Sequence, residues 1–197
     1  MNLTLRLAHD ERSSNRCSAL KILNEFAQDM GQTLTECFIA PEVSSLGLDE
    51  DKNVRIEVAR NLVKISRIVS LDFYHNKIFC LYQSLTADKE ERVRKACAEQ
   101  IAEMAKISNG EVLGQKLSDI FFGFLKDPSS KLVRGTAFQK IGPFVGAFKN
   151  GANIDDKIIQ FYITTIANSK NKDVCYHASF NFPAFIYVFG PENWPRF

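Results

Sequence analysis

Small and large apolar residues return at fixed offsets along the chain, about every 40 residues. Five dipeptides mark the frame, at steps of 39, 39, 40 and 41 residues: Asn15-Arg16, Val54-Arg55, Val93-Arg94, Val133-Arg134 and Val174-Cys175. Four residues after each frame start stand the small residues Ala19, Val58, Cys97, Ala137 and Ala178. Eight residues after the frame start stand the apolar residues Leu23, Leu62, Ile101, Ile141 and Phe182. Eleven residues after it stand Phe26, Ile65, Met104, Phe144 and Phe185. These offsets share one helical face, so each dipeptide is predicted to open an amphipathic helix.

A further helix is predicted before each of these, because apolar residues also recur upstream of the frame. Eight residues before the frame start stand Leu7, Leu46, Leu85, Leu125 and Ile166. Twelve residues before it stand Leu3, Leu81, Phe121 and Tyr162, with Glu42 as the exception in repeat 2. The pattern predicts first helices near 2–9, 33–47, 74–86, 112–125 and 154–168. It predicts second helices near 13–29, 52–69, 91–107, 130–148 and 172–189.

Five helical hairpins in tandem define the predicted fold. A lone hairpin of about 40 residues cannot bury both of its faces, whereas stacked hairpins give each face a neighbour. We therefore expect one domain over 1–197, with repeats at 1–31, 32–71, 72–109, 110–151 and 152–192. The expected fold class is all-α, a right-handed α-α superhelix of the HEAT/armadillo solenoid type.

Three prolines are expected to disturb these helices. Pro143 and Pro183 fall inside predicted second helices, and Pro41 falls inside the first helix of repeat 2. Each proline removes one backbone hydrogen bond, so a kink is expected at all three positions.

An acid and an arginine recur as a pair in the same frame. The four copies are Asp10 with Arg16, Asp49 with Arg55, Asp88 with Arg94, and Asp127 with Arg134. The acid falls in the turn between two helices and the arginine opens the second helix, so each guanidinium can reach the turn of its own or the next repeat. We interpret the pairs as a structural ladder that fixes stacking register. Ser169 and Cys175 replace the pair in repeat 5, where the ladder should end.

Composition and motifs argue against catalysis and nucleic-acid binding. The net charge is only +2, and the basic residues Arg60, Lys64, Lys140 and Lys149 are too few for a nucleic-acid surface. The five cysteines contain no CxxC pair and the three histidines are dispersed, so no metal site, cofactor or disulfide framework is predicted. No nucleophile elbow, phosphate-binding loop or dinucleotide fingerprint occurs. The chain is predicted not to be an enzyme.

Hydropathy predicts a protein that does not associate with membranes. No apolar run reaches the length of a membrane span, and the N-terminal residues lack the apolar core of a signal peptide. The expected location is the cytoplasm, with the nucleus as a second compartment.

The end of the chain is rich in phenylalanine. Phe180, Phe182, Phe185 and Phe189 are interpreted mainly as core residues, because most of them follow the apolar offsets. Repeat 5 has no following hairpin in this sequence, so an exposed apolar end face is also predicted around Phe182, Phe185 and Trp194.

Several segments resemble a known family. They are Val93-Arg-Lys-Ala-Cys-Ala-Glu99, Asp127-Pro-Ser129, Val133-Arg134, Ala137-Phe-Gln-Lys-Ile-Gly-Pro-Phe144, Asn181-Phe-Pro183 and Glu192-Asn-Trp194. Together they are similar to the HEAT-repeat regulatory and scaffold subunits of type 2A-like serine/threonine phosphatases, over about residues 88–194.

The resemblance implies a function in binding. A member of this family binds a type 2A-like (protein phosphatase 4-like) serine/threonine phosphatase catalytic subunit, with further regulatory subunits as additional partners. In the family the turns inside each repeat meet the partners, which implies a ridge of solvent-facing residues here: Glu11, Glu50, Lys89, Glu90, Ser129, Ser130, Asn171 and Lys172. The alternative is a general HEAT-repeat protein-binding adaptor in transport or assembly.

Overall fold

The computed structural model describes residues 2–108, 113–148 and 154–190. Within these ranges every regular element is helical and there is no strand. The predicted all-α class is thereby confirmed. Two compact units divide the chain: unit 1 ends at Gln100 and unit 2 starts at Ile101.

Unit 1 contains the first two repeats and most of the third. Its helices are α1 Asn2–Ala8, α2 Ser13–Leu34, α3 Ala40–Leu46, α4 Lys52–Ser66, α5 Leu71–Phe73, α6 Phe79–Thr86 and α7 Glu91–Ile107, whose last residues belong to unit 2. The second helices of repeats 1 and 2, α2 and α4, pack against each other.

Glycine separates the first repeat from the second. Hydrogen bonding carries α2 as far as Leu34, yet the backbone leaves the helical conformation at Gly31, with φ 74° and ψ −174°. Glycine has no Cβ and adopts a positive φ at little cost, which allows the chain to change direction here. The break lies between the predicted helix end near residue 29 and the next predicted start near residue 33.

The first helices of repeats 2 and 3 begin differently from the prediction. Each contains a π-helical turn, Thr35–Ile39 directly before α3 and Tyr74–Ile78 between α5 and α6, at a spacing of 39 residues. Pro41 is therefore not the cause of the irregularity, because repeat 3 has Cys80 at the corresponding position and the same π-helical turn. Helices are present over the predicted ranges 33–47 and 74–86, and only the π-helical turns within them were not predicted.

Unit 2 continues the hairpin pattern. Its further helices are α8 Gly114–Leu125, α9 Lys131–Gln139, α10 Ile141–Val145, α11 Asp156–Asn168 and α12 Lys172–Phe189. The second helix of repeat 4 is interrupted at Lys140, close to Pro143 as expected. By contrast, α12 runs through Pro183 as one element. The carbonyl that Pro183 leaves without a helical donor belongs to the exposed residue Ser179, where water can satisfy it.

The repeated columns form the core. All five residues four positions after the frame start are at most 2% exposed. The column at eight is buried in repeats 1 to 4, and the column eight before the frame is buried in repeats 2 to 4. The two residues of repeat 5 in these columns, Phe182 and Ile166, are 43% and 36% exposed.

The phenylalanine-rich end only partly follows the prediction. Phe185 and Phe189 are buried, as expected of core residues. Phe180 is 72% exposed, because it lies six residues after the frame start, on the side of the helix where Lys21 and Arg60 face solvent in repeats 1 and 2. The predicted exposed end face is correct for Phe182 and wrong for Phe185, which stacks on Tyr162 at 4.2 Å between ring centroids. Trp194 and Lys149 lie outside the described residues.

Candidate partner-binding ridge

The turns inside the repeats share one local design. In the first four turns an aspartate Oδ1 accepts a hydrogen bond from the backbone N–H two residues later. The donors are Arg12 at 2.9 Å, Asp51 at 2.8 Å, Glu90 at 2.8 Å and Ser129 at 3.0 Å. In the fifth turn Ser169 Oγ accepts from Asn171 N at 3.1 Å. A short polar side chain that closes a turn on its own backbone explains why acids recur at this position.

Each frame arginine reaches back to the turn of its own repeat. Arg55 Nη1 donates to the carbonyls of Asp49 at 2.7 Å and Glu50 at 3.0 Å. Arg16 and Arg94 make the corresponding pairs of hydrogen bonds, and Arg134 donates to Asp127 O at 2.6 Å. The guanidinium thus donates hydrogen bonds to turn carbonyls that accept none from the backbone of the neighbouring helices.

In unit 1 the same arginines also reach the following repeat. Arg16 binds Asp49 through two parallel hydrogen bonds, Nε to Oδ2 at 2.7 Å and Nη2 to Oδ1 at 2.8 Å. Arg55 binds Asp88 in the same way, at 2.7 and 3.1 Å. One guanidinium therefore joins two consecutive turns, and the two links connect the turns of repeats 1, 2 and 3.

These ion pairs are shielded from water. The side chains of Arg55 and Asp88 are each 9% exposed, and those of Arg16 and Asp49 are 11% and 9% exposed. Burial raises the pKa of Asp88, but the hydrogen bonds from Arg55 and from the Glu90 N–H outweigh it and leave this pKa below its usual value. Paired and bidentate, the carboxylate is held in its charged form.

Repeat 5 departs from this arrangement. Cys175 takes the place of the arginine, and its Sγ lies 3.7 Å from Ser169 O, the carbonyl that corresponds to the one an arginine binds in the other turns. Neither Ser169 nor Cys175 carries a charge that could bind a carboxylate or a guanidinium of a neighbouring repeat.

The structure exposes most of the residues that the sequence assigned to the ridge. Glu11, Glu50, Lys89, Ser129, Asn171 and Lys172 face solvent. Glu90 is half-buried, and its Oε2 lies 3.5 Å from Lys52 Nζ. Ser130 was predicted to be solvent-facing, and this is wrong. Ser130 is fully buried because it is the N-cap of α9, where its Oγ accepts from Val133 N at 3.2 Å.

Unit 2 holds repeats 4 and 5 together with a device that sequence reasoning missed. Asn181 on α12 accepts a hydrogen bond from Gly142 N through Oδ1 at 3.2 Å, and its Nδ2 approaches the carbonyls of Phe138 and Gln139 at 3.5 Å. Pro143 has no backbone N–H, so it cannot donate the helical hydrogen bond that Gln139 O would otherwise accept. A Cβ on residue 142 would lie 2.4 Å from Asn181 Oδ1, so only glycine fits. An asparagine in an apolar stripe and a Gly-Pro pair were the available signals.

Other kinds of site are not found in the part of the chain that the structure describes. Residues 2–108, 113–148 and 154–190 contain no group of three or more histidine, cysteine, aspartate or glutamate side chains placed to hold a metal ion. No helix in these ranges is long and apolar enough to cross a membrane.

Comparison with known protein families and solved structures identifies the fold. No model of a known protein family matches the sequence. Among solved structures, the chain is similar to Cex1p, with a TM-score of 0.74 and 18% identity over 97% of this chain and 36% of that one. It is also similar to Kap121p, with a TM-score of 0.71 and 15% identity over 98% of this chain and 20% of that one. The fold is therefore that of a HEAT-repeat helical solenoid.

Sequence comparison relates this HEAT-repeat chain to a phosphatase regulator. It is 31% identical over 144 residues to serine/threonine-protein phosphatase 4 regulatory subunit 1 of human, and equally to those of mouse and rat. The matched stretch is 73% of this chain and 15% of each relative, so the chain spans only a small part of their length. The resemblance to the HEAT-repeat regulatory subunits of type 2A-like phosphatases is thereby confirmed.

Proposed function

We propose that this HEAT-repeat chain is a non-catalytic regulatory or scaffold subunit that binds the catalytic subunit of a type 2A-like serine/threonine phosphatase of the protein phosphatase 4 kind. The observation that carries the proposal is the 31% identity over 144 residues to phosphatase 4 regulatory subunit 1. Likeness to Cex1p and Kap121p bears on the fold alone. The cytoplasm and nucleus are the expected locations, and further regulatory subunits are candidate additional partners.

The geometry of the turns supports the ridge as the binding surface. The frame arginines bind the carbonyls of Glu11, Glu50 and Lys89, while the side chains of these residues remain in solvent. Their backbones are thus fixed before any partner arrives, which lowers the entropic cost of binding. The ridge in unit 1 carries both signs of charge, so it suits a partner surface of mixed charge.

A direct binding assay tests the proposal. Purified chain is immobilised and titrated with a recombinant phosphatase 4 catalytic subunit, and binding is followed by biolayer interferometry. We expect Lys89→Glu to weaken binding about tenfold, because it reverses a charge on the ridge without touching a buried side chain. Lys64→Glu is the matched control, since Lys64 is also exposed in unit 1 but lies in the last turn of α4, away from the turns inside the repeats.

Two results would contradict the proposal in different ways. Absence of binding to any type 2A-like catalytic subunit, together with capture of unrelated proteins from cell extract, would support the alternative of a general HEAT adaptor in transport or assembly. Phosphatase binding that Lys89→Glu and Lys64→Glu leave equally unchanged would keep the partner and reject the ridge.

A further inference from the structure

The ladder of arginines and acids has an arginine in repeat 4 but no acid in repeat 5 to receive it. Arg134 Nη1 donates to Asp127 O at 2.6 Å, so this guanidinium is anchored on its own turn like those of Arg16 and Arg55. In Arg16 and Arg55 the other edge of the guanidinium, formed by Nε and Nη2, binds an aspartate of the next turn. Among the described residues, that edge of Arg134 has no acceptor.

Ser169 occupies the place of the missing acid. Its Oγ accepts a hydrogen bond from Asn171 N at 3.1 Å, as Asp49 Oδ1 accepts one from Asp51 N at 2.8 Å. Both acceptors lie two residues before the N-cap of a second helix. Ser169 thus makes the turn hydrogen bond of a ladder aspartate without the negative charge.

The hairpins of repeats 4 and 5 stack within unit 2, as those of repeats 1 and 2 do within unit 1. There α12 packs against α9, the helix that carries Arg134. Gln139 Nε2 of α9 lies 3.2 Å from His177 Nε2 of α12, so residues 38 positions apart face each other. The turn of Ser169 leads directly into α12, which makes it the neighbour of the turn on which Arg134 is anchored.

We propose that Ser169 is a phosphorylation site and that its phosphate binds the open guanidinium edge of Arg134. A protein kinase transfers the γ-phosphoryl group of ATP. The bond from Ser169 Oγ to phosphorus forms, the bond from phosphorus to the β-phosphate oxygen breaks with release of ADP, and the hydroxyl proton passes to a base of the kinase. The phosphate brings about two negative charges and three acceptor oxygens, which suit the parallel N–H groups of a guanidinium.

The surroundings of Ser169 suit this modification. Ser169 is half-buried and ends α11 in an extended conformation, with φ −84° and ψ 127°, so a kinase can reach its hydroxyl without unfolding a helix. Lys170 and Lys172 are exposed beside it and add positive charge that attracts a phosphate. The modification extends the ionic ladder to the fifth turn, which carries the ridge residues Asn171 and Lys172. The inference rests on the ladder and not on the proposed function, so its test involves no phosphatase subunit.

Thermal unfolding of the full chain tests the link. Phosphoserine is incorporated at position 169 during translation, and each modified chain is compared with its unmodified form by differential scanning calorimetry. We expect the phosphate to raise the melting temperature by about 3 °C and Arg134→Gln to abolish this rise. Lys116→Gln is the matched control and should leave the rise intact, because Lys116 is an exposed cation of unit 2 near the start of α8, at the other end of its hairpin from the turn.

A second variant and a second measurement complete the test. Arg134→Lys keeps the charge without the two parallel N–H groups, so it should retain less than half of the rise, and it replaces Arg134→Gln if that variant does not fold. Mass spectrometry of the protein isolated from its native cells, with phosphatase inhibitors present, shows whether the modification occurs. We expect phosphate on Ser169.

Three results would overturn the proposal. The first is that the peptide containing Ser169 is recovered from native cells only without phosphate. The second is a rise in melting temperature that Arg134→Gln and Lys116→Gln leave equally large, which would mean that the phosphate does not bind Arg134. The third is an equal, Arg134-dependent rise when saturating inorganic phosphate is added to the unmodified chain, which would assign the guanidinium edge to a free anion.

Discussion

Repeats 1 and 2 are held together differently from repeats 4 and 5, although both junctions bury the same apolar columns. In unit 1 the link is ionic and lies in the turns, where Arg16 binds Asp49 with two hydrogen bonds. In unit 2 the link is a neutral amide in the middle of the helices, where Asn181 inserts into the interruption between α9 and α10. The apolar columns are therefore common to the repeats, while the polar contact that links neighbouring repeats differs between the two junctions.

The position of the device also affects the exposed surface. A guanidinium in unit 1 fixes the backbone of the ridge residues because it binds the carbonyls of the turn directly. The Asn181 amide instead acts on α10 and leaves the fifth turn to the weaker contact between Cys175 and Ser169. The turns of the ridge are therefore held by more hydrogen bonds where the charged pairs are present.

The largest expected effect comes from removing a guanidinium in unit 1. Arg55→Ala leaves the Asp88 carboxylate, 9% exposed, without its bidentate partner and also frees the carbonyls of Asp49 and Glu50. We expect the free energy of unfolding to fall by about 3 kcal/mol, because breaking one side of a shielded ion pair leaves an uncompensated charge. Urea denaturation followed by circular dichroism measures the loss.

Two variants sharpen this test. Arg60→Ala removes an exposed arginine from the same helix and should cost less than about 0.5 kcal/mol. The double variant Arg55→Leu with Asp88→Leu should cost less than Arg55→Ala, since no buried charge is left alone. If Arg55→Ala and Arg60→Ala were equally mild, the ionic link would have no part in holding unit 1 together.

A smaller effect is expected from the amide link in unit 2. Asn181→Ala removes the acceptor for the buried Gly142 N–H and the donor to His177 O, so we expect a loss of about 2 kcal/mol in the free energy of unfolding. Asn168→Ala is the control, because that exposed amide donates to Thr164 O within its own helix. Differential scanning calorimetry compares the two variants. Equal melting temperatures for them would show that the Asn181 contacts contribute nothing.

Much of this architecture could be predicted from the sequence because each packing position recurs in several repeats, so a chance substitution in one copy does not hide the pattern. Five copies of a column such as Ala19, Val58 and Cys97 identify a packing face that no single copy would establish. The pairing of acid and arginine was also visible, since both residues keep their spacing. Helix bounds followed as well, except where the backbone depends on tertiary contacts.

The features that could not be predicted depend on neighbours in the fold. Repeat 2 has Asn61 at the position of Asn181, yet Asn61 donates to Glu57 within its own helix. The residue type alone therefore did not indicate the link from Asn181 to Gly142, which lies about 40 residues away. The π-helical turns at Thr35–Ile39 and Tyr74–Ile78 have ordinary helical sequences. Ser130 was placed on the surface because the resemblance assigns the turn residues to the partner-binding ridge, although a capping serine can be buried when its hydroxyl is satisfied.

The smallest expected effect is a difference in pH dependence between the two links. Asp88 has a folded pKa below its unfolded value, so its stabilising contribution is complete above the unfolded pKa of about 3.9 and is lost as the pH falls through the folded pKa. The Asn181 amide does not titrate. Lowering the pH from about 6 to about 3 should therefore reduce the destabilisation caused by Arg55→Ala and leave that of Asn181→Ala nearly constant. Urea unfolding at several pH values tests this, and a constant penalty for Arg55→Ala would mean that the ionised form of Asp88 is not what Arg55 stabilises.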